Sequence, residues 1–128
     1  MTNLVVAFAE VGGQWQGYAG PNALALTSLE NGKLYWWYAT QEMTLDTVKL
    51  YKGWNNMMWL SPSAPVTSAL AGKEASILFV VVTDIQSGKN YLYQSPQVKP
   101  LSVIPVGQKY STFVAPPGNL PQMATKTR

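Results

Sequence analysis

A chain of 128 residues with 47% hydrophobic and only 12% charged side chains can bury one core and is too apolar for disorder over most of its length. It holds no histidine and no cysteine, which removes the commonest general base, any disulfide, thiolate nucleophiles and the usual nitrogen and sulfur metal ligands. Nine basic against six acidic residues give a net charge of +3, spread too thinly along the chain to form a phosphate-binding footprint.

β-Branched and aromatic segments alternate with Gly, Pro, Asn and Ser, and helical periodicity is nowhere sustained, so the expected fold is all-β with antiparallel sheets. Residues 4–11 read as the first strand, closed by Gly12-Gly13, with a short second strand over residues 14–18. The apolar run Leu4 to Phe8 has no basic leader and is too short for a signal-peptide core, so the expected compartment is cytoplasmic or reached without a cleaved signal. No stretch approaches the roughly 18 apolar residues of a membrane-spanning helix. Residues 23–29 and 34–40 flank Asn31-Gly32, a strong short hairpin signal, and are expected to pair with each other. Residues 44–51 read as one strand, and residues 54–60 follow the Lys52-Gly53 turn.

The prolines of Ser61-Pro62-Ser63-Ala64-Pro65 mark a boundary, after which residues 66–70 read as a further strand. Residues 76–83 form a continuous apolar run, the pattern of a strand buried on both faces, joined by a longer loop to residues 90–94. Residues 98–106, broken by Pro100 and Pro105, and residues 109–115 suit edge strands. Residues 1–115 are therefore read as a single all-β domain. Residues 116–128, with Pro116-Pro117-Gly118 and Pro121, are read as a flexible tail. Short strands at this spacing describe either an immunoglobulin- or fibronectin-like β-sandwich or propeller-like blades.

The densest chemistry is aromatic: Tyr35-Trp36-Trp37-Tyr38, with Tyr51, Trp54 and Trp59. On a strand Tyr35 and Trp37 face one side and Trp36 and Tyr38 the other, so the two pairs cannot share one core. One pair is expected on a surface, unless the sheet is packed on both faces. Rings with an apolar face and a polar edge suit sugars, nucleobases and protein partners alike. Trp54-Asn55-Asn56 sets such a ring beside two amides, and Gln14-Trp15-Gln16 repeats the combination. The candidate ligand-binding residues are thus Trp15, Tyr35, Trp36, Trp37, Trp54, Asn55 and Asn56.

Ala25-Leu26-Thr27-Ser28, Leu34-Tyr35-Trp36-Trp37-Tyr38, Thr44-Leu45 and Lys52-Gly53-Trp54 together resemble one blade of the fungal fucose-lectin family of β-propellers. Val66-Thr67-Ser68-Ala69, residues 77–82 and Tyr91 echo it in a second segment. The resemblance implies stacked blades and a sugar held by an arginine, a glutamate and an aromatic ring. Trp54 matches the ring, whereas Tyr35 and Thr47, and in the second segment Leu78 and Asn90, stand in place of the charged pair.

The expected function is non-catalytic, lectin-like binding of a glycan or glycoprotein, with no cofactor, metal or catalytic residue. The alternative is a structural or interaction β-domain that oligomerises with itself or joins an assembly through its aromatic face. The carboxylates Glu10, Glu30, Glu42, Asp46, Glu74 and Asp84 are dispersed near turns, and a glycosidase would need two of them to converge in a cleft. Nucleic acid is disfavoured because Lys33, Lys49, Lys52 and Lys73 are interleaved with those acids.

Overall fold

The computed structural model describes residues 4–114, so the expected tail over residues 116–128 lies outside the described residues. In chain order the strands are β1 (Leu4–Val11), β2 (Gln14–Ala19), β3 (Ala23–Ala25), β4 (Ser28–Leu29), β5 (Leu34–Ala39), β6 (Met43–Leu45) and β7 (Val48–Leu50). There follow β8 (Gly53–Met58), β9 (Ala64–Pro65), a one-turn helix α1 (Val66–Ala69), β10 (Ile77–Thr83), β11 (Asn90–Gln94), β12 (Lys99–Pro100) and β13 (Ser111–Val114). The all-β expectation holds. No described helix is long and apolar enough to cross a membrane.

Two sheets face each other, one ordered β12-β2-β1-β13 and the other β3-β11-β10-β5-β8. Gly12 and Gly13, at φ 60 and 81, close the β1–β2 hairpin, both supplying the left-handed backbone that a two-residue turn needs. Most neighbours are antiparallel, but β3 runs parallel to β11 and β12 parallel to β2, so both sheets are mixed at one edge. The proline-interrupted segment and the last strand do take the two edges of the first sheet, where Pro100 has no ladder bond to lose.

The larger sheet is buried on both faces. On one face Tyr35, Trp37, Ala39, Val80, Val82 and Tyr93 pack with Leu29, Leu45, Leu50, Trp59, Val66 and Leu70 from the connecting segments. On the other Phe79, Val81 and Leu92 meet Val5, Val6, Phe8 and Phe113 of the smaller sheet. The run over residues 76–83 is accordingly the central strand β10, buried at all but its last position. A register shift between Ile77 and Phe79 places Leu78 and Phe79 in succession toward the smaller sheet. A matching shift in β1 turns Val5 and Val6 in succession toward the larger sheet.

Three expectations change, and the two blade-like segments take a definite place in the larger sheet. Residues 23–29 do not pair with 34–40: β5 is already flanked by β10 and β8, and the chain splits into β3, beside β11, and β4, beside β9. Gly32 alone takes positive φ there (86), and the Asn31 amide instead donates to the carbonyls of Leu60 and Ser61, both at 3.0 Å. Residues 44–51 form the hairpin β6–β7, because Asp46 adopts φ 56, a conformation that aspartate tolerates better than most residues. Residues 66–70 form α1 and its cap, with Val66 and Leu70 both buried; a spacing of four residues fits one helical face as well as one strand face. Finally, β10 and β11 lie between β3 and β5, so the two blade-like segments interleave in one sheet and neither forms a four-stranded unit of its own.

Candidate functional site

β5 sends alternate side chains into the two cores, and that parity divides the expected site. Tyr35 (1% exposed) and Trp37 (0%) belong to the face covered by the connecting segments, not to a surface. The Trp37 indole N–H donates to the Met57 carbonyl at 2.9 Å, and the Tyr35 hydroxyl accepts from the Glu30 N–H at 2.8 Å. Asn55 lies opposite Trp37, and its amide oxygen accepts from the Tyr51 N–H (2.9 Å) while its nitrogen donates to the Tyr51 carbonyl (2.8 Å). It fastens the turn into β8.

Trp15, Trp36 and Trp54 are half-buried and edge the opposite core, where Phe8, Tyr38, Phe79 and Phe113 fill the space between the sheets. Trp54 lies 4.5 Å from Phe113 and 5.2 Å from Tyr38, and Trp15 lies 6.1 Å from Tyr38, centroid to centroid. Such tilted and edge-on contacts are the packing that aromatic quadrupoles favour. The buried indole N–H of Trp54 has no hydrogen-bond partner among the described residues. Burial pushes the Tyr38 hydroxyl pKa up, and the nearby Glu10 charge adds to the rise. Asn56 is exposed opposite Trp36. The structure therefore brings Trp15, Trp36 and Trp54 into one cluster with Asn56 at its border, and turns Tyr35, Trp37 and Asn55 to the other side of the sheet.

Polar groups converge elsewhere. A cleft of about 310 Å³ at one end of the larger sheet is lined by Thr27, Ser28, Glu30, Lys33, Asp84 and the rings of Tyr35 and Tyr91. Its walls follow from the topology. β3 runs beside β11, bringing Leu24 next to Tyr91, and Leu26 still bonds to the Leu92 carbonyl at 3.0 Å before the chain leaves the sheet through Thr27 and Ser28. Asp84 opens the β10–β11 loop, where its carboxylate accepts from the Ser87 hydroxyl at 2.8 Å and the Gln86 N–H at 3.2 Å. Glu30 and Lys33 bracket a turn closed by the Lys33 N–H on the Glu30 carbonyl at 3.1 Å. Burial raises the Tyr35 pKa, the Glu30 N–H opposes the rise, and the Glu30 charge adds to it. The Tyr35 hydroxyl thus sits at the buried foot of the cleft, held there by the Glu30 N–H.

Glu30 and Asp84 were legible only as turn carboxylates. The parallel pairing of β3 with β11 that joins them to Tyr91 leaves no local mark in the sequence. No three acidic side chains among the described residues are grouped to hold a metal ion. No protein-family model, curated protein or solved structure matches this chain.

Proposed function

We propose that this protein is a non-catalytic, lectin-like carbohydrate-binding domain whose ligand site is the cleft between Glu30 and Tyr91. The observation that carries the reading is the mixture of groups in one hollow: carboxylate acceptors (Glu30, Asp84), an ammonium donor (Lys33), hydroxyls (Thr27, Ser28, Tyr35) and the half-buried ring of Tyr91. A sugar presents the complement, hydroxyls that both donate and accept around an apolar ring face. At about 310 Å³ the cleft stands at the small end of the roughly 300–1,000 Å³ range of ligand sites, which suits one or two sugar units.

A glycan array followed by calorimetry tests the proposal. The wild type should bind a defined set of glycans, and Glu30→Ala with Lys33→Ala, both exposed positions, should weaken binding at least about tenfold, a change of roughly 1.4 kcal/mol, without lowering the melting temperature. Absence of any glycan above background would refute it. A second reading, a β-domain that joins an assembly, is favoured by Leu34 and Met58, which lie side by side, 47% and 41% exposed, at the open end of the aromatic face.

A further inference from the structure

Resting on that second reading, we propose that two copies of this chain join along β8, edge to edge and antiparallel, about a two-fold axis at Asn56. The other sheet edges are blunted: β3 has three residues, β12 has two and ends in Pro100, and the ladder of β13 with β1 carries a register shift. β8 is six residues long, pairs with β5 without a shift, and contains no proline and no charged residue. It is the longest edge among the described residues and the one with none of the usual protective devices.

The phase of its hydrogen bonds identifies the free groups. The Trp59 N–H donates to the Lys33 carbonyl at 2.9 Å, so Trp59 points its backbone at β5; by the alternation of an antiparallel ladder Met57 and Asn55 do the same. The Thr40 N–H, which reaches the Ser76 carbonyl at 2.8 Å, agrees: even-numbered positions on β5 serve β10 and odd-numbered ones serve β8. The N–H and C=O groups of Trp54, Asn56 and Met58 therefore point outward.

A two-fold axis at Asn56 sets Asn56 opposite its own copy and Trp54 opposite Met58 of the other chain, so that every outward group is paired. Thioether and indole then meet on one face, a favourable contact. The first charged neighbour, Lys52, falls opposite Leu60, which is 66% exposed, so no like charges meet across the axis. The larger sheet becomes continuous through both copies, and exposed Met58 gains a covering ring.

Two variants of Asn56 and one control variant test this against the wild type. Sedimentation across a concentration series should show a wild-type dimer, and Asn56→Pro, which removes an outward N–H that β5 does not use, should raise the dissociation constant at least tenfold with an unchanged far-ultraviolet spectrum. The chain has no cysteine, so Asn56→Cys gives a single thiol whose copy would lie about 5.5 Å away, Cα to Cα, within disulfide reach. It should oxidise to a covalent dimer much faster than Gln86→Cys in the exposed β10–β11 loop, and that comparison decides the matter if the proline variant fails to fold. An oligomer indifferent to Asn56→Pro, with Asn56→Cys no faster than the control, overturns the β8 interface while leaving assembly by another face. A wild-type monomer at all concentrations overturns both.

Discussion

Trp37 and Trp54 lie on neighbouring strands yet face opposite cores, and replacing each by phenylalanine should have clearly unequal consequences. Both substitutions lose ring atoms worth about 2 kcal/mol at roughly 0.8 kcal/mol per buried carbon group. Trp37 is fully buried and also gives up its hydrogen bond to the Met57 carbonyl, a further 0.5–1.5 kcal/mol or so, for a total near 3 kcal/mol. Trp54 holds a buried N–H with no partner among the described residues, and removing that group returns roughly 1–3 kcal/mol of desolvation cost. Its substitution should therefore fall within about 1 kcal/mol of neutral. The gap, about 2–3 kcal/mol, corresponds to roughly 10 °C in melting temperature at this chain length. Urea titrations followed by far-ultraviolet circular dichroism, which is less dependent on the deleted indoles than fluorescence is, measure it. Equal midpoints, or Trp54→Phe the more damaging, would refute the assignment of the two rings to differently satisfied cores.

Gly20→Ala should cost about 3 kcal/mol, the upper end of overpacking, because the added Cβ would lie 1.8 Å from the Leu4 carbonyl oxygen; Gly72→Ala, at φ 84 in open space, should cost only about 1 kcal/mol in the same thermal melts. Tyr35, Tyr38 and Tyr93 have hydroxyl pKa values raised first by burial, so their folded values exceed the unfolded one. Stability from these groups is full below about pH 10 and is lost as pH rises through the folded values; melts from pH 8 to 11 should stay level and then fall, and a decline beginning well below pH 10 would contradict the burial. Glu42→Gln breaks an exposed ion pair with Lys49 (2.6 Å) and should leave the melting temperature unchanged.

The features legible in the sequence are those set by neighbours along the chain. Gly12-Gly13 requires a turn, the apolar run over residues 76–83 requires a strand covered on both sides, and Pro100 requires an edge. Parity correctly separated Tyr35 and Trp37 from Trp36 and Tyr38, but it could not say that connecting segments cover the first pair, because Leu45 and Leu50 arrive on the β6–β7 hairpin and Val66 and Leu70 on α1 and its cap. Two register shifts, in β1 and β10, also break strict alternation and are invisible in a run where every residue is apolar. Asn31-Gly32 misleads because a local hairpin preference competes with strands that already occupy both sides of β5. The cleft depends on β3 lying parallel to β11, a pairing of residues more than sixty positions apart. Its carboxylates are unremarkable as sequence and meaningful only as neighbours of Tyr91.

Whether the polar cleft or the aromatic border receives a ligand can be read residue by residue. In a ¹H–¹⁵N NMR titration of the wild type with a glycan bound on the array, amide shifts should concentrate at residues 26–33, Asp84 and Tyr91, with the indole N–H signals of Trp15, Trp36 and Trp54 unmoved. Shifts centred on those three tryptophans and Asn56, with the cleft silent, would contradict the assignment of the site.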